Sequence, residues 1–325
     1  MARLLPQDTR GILRARAGLE RFQVERIAPP PPLAPFVEFF WVLRWDLRGR
    51  PPHRQRVLTR PNVHMTFTSC LPERAESGAP SEWWRAGTGG RWTRARIVGV
   101  VRDEFVEEIA GDGRVVGAGF RPGGFRPFAG GPVSALTGRF LGVDEVFGAA
   151  GLALADEVFA TDGAGDAVER LAAFLAELRP GADPSIERAA EIVERIAALP
   201  GLVRVDELAA DVGLSARGLQ RLFHEYVGIG PKWVIRRYRM LEAAGRAEAG
   251  APVDWAGLAA ELGYTDQAHF TRDFTAAVGT PPARYARETG TDAADGAIGA
   301  GGAGTGGGAG RVRGASGGGP GKIDV

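Results

Sequence analysis

The strongest constraint on this chain is that one stretch occurs in it twice. LAADVGLSARGLQRLFHEYVGIGP begins at Leu208, and LAAELGYTDQAHFTRDFTAAVGTPP begins at Leu258. Leu208, Ala209, Ala210, Gly213 and Ser215 match Leu258, Ala259, Ala260, Gly263 and Thr265 at an offset of 50. After one inserted residue, Leu219, Phe223, Val227, Gly228 and Pro231 match Phe270, Phe274, Val278, Gly279 and Pro282 at an offset of 51. Each copy reads as a short helix stopped by a glycine, the residue that tolerates left-handed backbone. A second helix follows, with Ser215 or Thr265 expected to accept from its free N–H groups. Two helices joined through such a short glycine turn make a helix-turn-helix, expected here over 206–228 and 254–279.

Helical periodicity divides each second helix into faces. Leu219, Leu222, Phe223 and Tyr226 form a buried stripe in the first copy, and Phe270, Phe274, Ala277 and Val278 in the second. The opposite faces carry Ala216, Arg217, Gln220, Arg221 and His224, and Gln267, Ala268, His269, Thr271, Arg272 and Thr275. Arg, Gln and His bond to base edges or phosphates, and short side chains let a helix approach closely. With Ser215, Gly218 and Thr265 at the helix starts, these are the candidate DNA-binding residues. The connector, 231–247, is a helix of about 25 Å at 1.5 Å per residue. That length suits two readers in successive major-groove segments, which recur about every 34 Å. On it, Lys232, Arg236, Arg237 and Arg239 are candidate phosphate contacts. Residues 185–289 hold 13 Lys and Arg against 14 Asp and Glu, so any basic footprint belongs to faces and not to the bulk.

Upstream of the repeat the pattern changes. Residues 1–34 end in a proline run and read as a lead-in segment. Residues 35–180 start with period-two segments. Phe39, Trp41, Leu43 and Trp45 alternate with Phe40, Val42 and Arg44, and a similar alternation runs over 63–68. Further short strands are expected at 96–101, 105–109 and 114–120, then helices near 132–147 and 166–178. The expected fold is therefore α+β: a small antiparallel barrel or sandwich with helices, and an all-α unit over 181–289. Residues 290–325 contain 15 glycines in 36 positions and are expected to be disordered. A single cysteine, Cys70, excludes an intramolecular disulfide. With no long apolar run, a cytoplasmic chain is expected.

Residues 185–287 resemble the AraC/XylS family of bacterial transcription regulators. The resemblance rests on VDELAADVGLSARGLQRLFHEYVG, on the basic connector, and on LAAELGYTDQAHFTRDF followed by GTPPARY. It implies that residues 216–224 and 267–275 read DNA, that RNA polymerase is a partner, and that activation is the commoner outcome. The family often has serine where this chain has Ala268. Residues 35–150 resemble the N-terminal domain of an actinobacterial-type subgroup through APFVEFFWVLRW, RVLTRPNVHMTF and GFRPGGFRPF, which implies a cupin-like sensor, a small-molecule effector and a possible homodimer.

The remaining features are weaker. Trp41, His64, Thr66, Arg121 and Arg126 are candidates for an effector pocket, because pockets combine aromatic walls with a few polar groups. His53 and His64 lack the tight spacing of cupin metal sites, so no metal or other cofactor is expected. Cys70 has no basic neighbours that would activate it. Trp83, Trp84 and Trp92 suit a cavity wall, a core or a dimer contact. No nucleophile–base pair or phosphate loop stands out, and the chain is read as a regulator, not an enzyme. Two alternatives remain: a constitutive dimeric regulator, and a cupin-like enzyme with a degenerate helical domain.

Overall fold

The computed structural model describes residues 3–6, 8–69, 94–103, 105–199 and 201–299, the last nine as backbone only. Cys70, Trp83, Trp84, Trp92 and residues 300–325 lie outside the described residues.

The N-terminal part is built on a six-stranded antiparallel sheet. In chain order its strands are β1 (Phe22–Ile27), β2 (Val37–Leu47), β4 (His64–Thr68), β5 (Ala95–Val98), β7 (Gly111–Phe120) and β8 (Phe140–Gly142). In space they lie in the order β1-β2-β7-β4-β5-β8. A two-stranded ribbon of β3 (His53–Val57) and β6 (Phe105–Ile109) stands apart from it. The expected barrel is thus an open sheet with a separate ribbon: β1 and β8 are its edges and do not pair with each other.

Side chains alternate across a strand, so the sheet has two faces with different fates. Phe40, Val42, Met65, Phe67, Val116 and Ala118 point one way and are buried. They pack under α2 (Val143–Ala160) and α3 (Ala164–Glu177). The other face carries Phe39, Trp41, Leu43, His64 and Thr66 and looks toward the ribbon across a cavity.

Three boundaries differ from the sequence expectation. The lead-in is structured: α1 (Ala15–Leu19) and β1 lie inside it, and Leu13 is buried with residues of the second helix-turn-helix. The helix expected near 132–147 begins only at Val143, because a 3-10 turn (Val133–Leu136) and β8 occupy its first part. At the other end, α10 (Pro282–Gly299) continues past residue 289.

The helical part begins with α4 (Pro184–Ala198), whose Asp183 accepts from Ser185 N–H at 2.9 Å with Pro184 as the first helical residue. The first helix-turn-helix is α5 (Val205–Asp211) and α6 (Ala216–Leu222). The connector is α7 (Pro231–Glu248). The second unit is α8 (Trp255–Glu261) and α9 (Gln267–Val278). One core runs without a break from the sheet through α2, α3 and α4 to Leu219, Phe223 and Val234. The second unit has its own core around Phe270, Phe274 and Tyr285.

Candidate nucleic-acid interface and sensor cavity

Both reading helices start from a capped turn. Ser215 Oγ accepts from Gly218 N–H at 3.1 Å. A Cβ on Gly218 would sit 3.2 Å from that hydroxyl, so the glycine leaves the cap its room. In the second unit the cap is Asp266, not Thr265: Asp266 Oδ1 accepts from His269 N–H at 2.7 Å. The inserted residue that changes the repeat offset from 50 to 51 falls before this point, so Asp266 and not Thr265 takes the place of Ser215. That backbone bond also holds the Asp266 carboxyl below the usual carboxylate range.

Arg217, Gln220 and Arg221 on α6 are exposed and make no ion pair among the described residues. Gln267, Ala268, His269 and Arg272 on α9 are also exposed, while Thr271 and Thr275 are half-buried. Thr275 Oγ1 donates to Thr271 O at 2.7 Å, so its hydroxyl hydrogen is already committed. His224 is exposed but bonded to Ser134 Oγ at 3.0 Å, which ties it to the N-terminal part instead of leaving it with the other readers. Past Leu222 the helix widens into a π-type turn (Phe223–Val227), closed by Gly228 N–H donating to Phe223 O at 2.7 Å.

The connector's basic run splits in two. Lys232 and Arg236 are exposed, one turn apart. Arg236 is paired with Asp273 on α9 at 2.8 Å, and Asp273 also accepts from Tyr264 OH at 3.0 Å. Arg237 and Arg239 are only 7% exposed and cannot reach phosphate as expected. Arg237 lies 4.5 Å from the Trp233 ring and donates to Arg102 O at 2.7 Å, joining α7 to the loop after β5. Burial lowers its pKa to about 10, so it stays charged at neutral pH. Arg239 donates to Leu202 O at 3.2 Å and lies near the Tyr264 ring, between the two helix-turn-helix units.

The cavity between the sheet and the ribbon has a volume of about 250 Å³. Its wall is mostly apolar and aromatic, and Trp41, His64 and Thr66 line it. Arg121 and Arg126 do not. They pair across to the helical part, with Glu194 at 2.8 Å and Glu225 at 2.6 Å. The sequence grouped them with the effector-pocket candidates because partners about 70 and 100 residues away leave no local signal. It also missed Arg96 on β5, whose guanidinium meets Glu107 of β6 across the cavity at 2.9 Å. Burial lowers the Arg96 pKa and raises that of Glu107, while their mutual attraction opposes both shifts. His53 contacts Gln55 and the Phe22 ring and does not converge with His64. No group of three or more potential metal ligands occurs among the described residues.

Comparison with known proteins gives two family matches. Residues 25–142 match a domain of unknown function (DUF6597), and residues 208–288 match a helix-turn-helix domain. A probable transcription factor, PqrA from Proteus vulgaris, is 34% identical over 89 residues, which are 27% of this chain and 71% of that protein. An AraC-type regulator structure from Chromobacterium violaceum is 22% identical, with 30% of this chain and 88% of that chain covered at a TM-score of 0.28. ToxT from Vibrio cholerae is 10% identical, with 82% and 98% covered at a TM-score of 0.36.

Proposed function

This chain belongs to the AraC family of transcription regulators, and on that premise we propose how it reads DNA and how its N-terminal part controls the reading. It is a DNA-binding regulator. In our reading, α6 and α9 enter successive major-groove segments, Arg217, Gln220 and Arg221 read one half of the site, and Gln267, His269 and Arg272 read the other. The observation that carries this is the pair of capped helices, each with an exposed arginine that has no acid paired to it among the described residues. An arginine with a free fork bonds bidentately to guanine, and each good pair discriminates by about 1–3 kcal/mol. Lys232 serves as a phosphate contact, and Arg236 does so only by giving up Asp273. RNA polymerase as a partner and a homodimer remain part of this reading through family membership alone.

The cavity is the site through which a small molecule gates binding. Its support is its place: it lies between the sheet and a ribbon whose strand β3 also reaches the second helix-turn-helix, where Arg56 donates to Val278 O at 2.5 Å.

Selection of binding sites from a random DNA pool tests the reading faces. Arg217→Ala should relax base preference in one half of the motif. Arg272→Ala should relax it in the other half, about 10 bp away. If both variants select the unaltered motif, the assignment of faces is wrong.

A further inference from the structure

The cavity carries more information than its position. Trp41 and Phe39 on β2 lie opposite Gly117 and Gly119 on β7, and His64 on β4 is also opposite Gly119. A Cβ on Gly117 would come within 2.7 Å of the Trp41 ring, and one on Gly119 within 2.9 Å of Phe39 and 3.2 Å of His64. The two glycines therefore make the space that the three rings occupy on this face of the sheet. His64 is edge-on to Phe39 and Trp41, with centroids 6.3 and 6.4 Å away.

Among the described residues, two polar groups on this wall have no hydrogen-bond partner. Trp41 Nε1 is covered and meets no acceptor. The His64 ring makes no hydrogen bond among the described residues, although it keeps accessible surface on the cavity side. Burial, reinforced by Arg60 and Arg26, pushes its pKa down to about 4. At neutral pH the ring is therefore uncharged, with one nitrogen to donate and one to accept.

The charged groups of the wall, by contrast, are spoken for. Arg26 pairs with Asp8 at 3.1 Å, Arg60 with Glu38 at 3.4 Å, and Arg96 with Glu107 at 2.9 Å. Arg10 pairs with Asp8 at 3.4 Å and Glu108 with Arg54 at 3.5 Å. A charged ligand against His64 would have to break one of these pairs or stand without a partner of its own beside them, the one arginine in excess being Arg10, which shares Asp8 with Arg26 and is mostly in water. As for size, at about 30 Å³ per water the cavity holds about eight waters, or an organic molecule of on the order of ten non-hydrogen atoms.

We propose that this cavity binds an uncharged, largely apolar molecule about one aromatic ring in size, stacked along the Phe39–Trp41 wall and bonded through one hydroxyl or similar group to His64. The proposal rests on the gating reading above and gives that site its ligand class.

The full-length protein is tested with two head-group series at pH 7: 2-phenylethanol, phenylacetate and 2-phenylethylamine, and hexanol, hexanoate and hexylamine. Melting temperature is followed as each is titrated, since binding to the folded state raises it. The alcohols should raise it, and the acids and amines should not. His64→Phe keeps the ring but loses the bond, and should weaken alcohol binding by about tenfold. Leu43→Trp fills the cavity and should abolish the shift. Val115→Phe fills the same space from the paired strand, should Leu43→Trp fail to fold. An acid or amine shift as large as the alcohol's, an alcohol shift that survives cavity filling, or no shift in either series overturns the proposal. DNA affinity measured in the same samples separates the two claims. An alcohol shift with unchanged DNA affinity keeps the ligand class and removes the gating.

Discussion

His64 shows how much one ring can owe to its surroundings. An ordinary histidine gains its proton near pH 6.5, whereas this one, enclosed by Phe39 and Trp41 and facing Arg26 and Arg60, gains it only near pH 4. The sign follows from linkage. Above pH 6.5 both folded and unfolded chains hold the ring neutral, and nothing is lost. Below it the unfolded chain takes up a proton that the folded chain refuses, so stability falls until about pH 4. At about 1.4 kcal/mol per pKa unit the loss is up to about 3 kcal/mol. Urea unfolding at pH 7 and pH 4.5 checks this: His64→Phe should lose about 2 kcal/mol less than the wild type between the two. Equal losses would place the ring in contact with bulk water. A period-two alternation is enough to put Trp41, His64 and Thr66 on strands, and those three do share one face. Nothing local could show that Arg121 and Arg126 would turn away to Glu194 and Glu225.

Elements were legible where one period dominated. The repeated stretches correspond to α5 with α6 and α8 with α9, and the segment between them to α7. Strands β1 and β3 escaped notice because FQVERI follows a short helix inside an apparent lead-in, and HRQRV is too polar to announce a strand. Within the connector, composition suggested one basic run, but a helix turns about 100° per residue. Arg237, about 100° round from Arg236, therefore faces in, whereas Arg239 shares the face of Lys232 and is buried because Leu202 O and the Tyr264 ring cover it, leaving Lys232 and Arg236 exposed. Replacement separates the two roles. Lys232→Ala should leave stability unchanged and flatten the dependence of log affinity on log salt by about one unit. Arg237→Ala removes the bond to Arg102 O and the packing on Trp233, and should cost about 1–3 kcal/mol of stability. Its salt slope should stay that of the wild type. A reduced slope in Arg237→Ala would mean that the side chain reaches phosphate after all.

On the scale of the whole molecule, two of the contacts between the N-terminal part and the helical part fall at equivalent points of the repeat. Each reading helix ends in a glycine with left-handed backbone, Gly228 at φ 89° and Gly279 at φ 80°. Thr137 Oγ1 donates to Gly228 O at 2.5 Å, and Arg56 donates to Val278 O at 2.5 Å. Both glycines also lack room for a side chain, since a Cβ would strike Val133 at Gly228 and the Arg56 guanidinium at Gly279. The composition break at 181–184 marks where the helices begin, but it does not mark a mechanical joint, because the core continues through it. The two grips therefore help to set the separation of α6 and α9, together with α7. Strand β3, which carries Arg56, also lines the cavity through Gln55 and Val57, so a shift of the ribbon is felt at the second grip. One added base pair between the half-sites rotates them by about 34° and separates them by about 3.4 Å. Wild-type protein should lose affinity sharply for such a spaced site. Arg56→Ala, which removes the tie at the end of α9, and Thr137→Val, which removes one of the ties at the end of α6, should lose less, by at least about threefold in the ratio of spaced to native affinity. Titration of both DNAs with each folded variant decides the point. If all three proteins lose affinity equally, α7 alone holds the spacing, and the grips contribute stability without setting how the two units meet DNA.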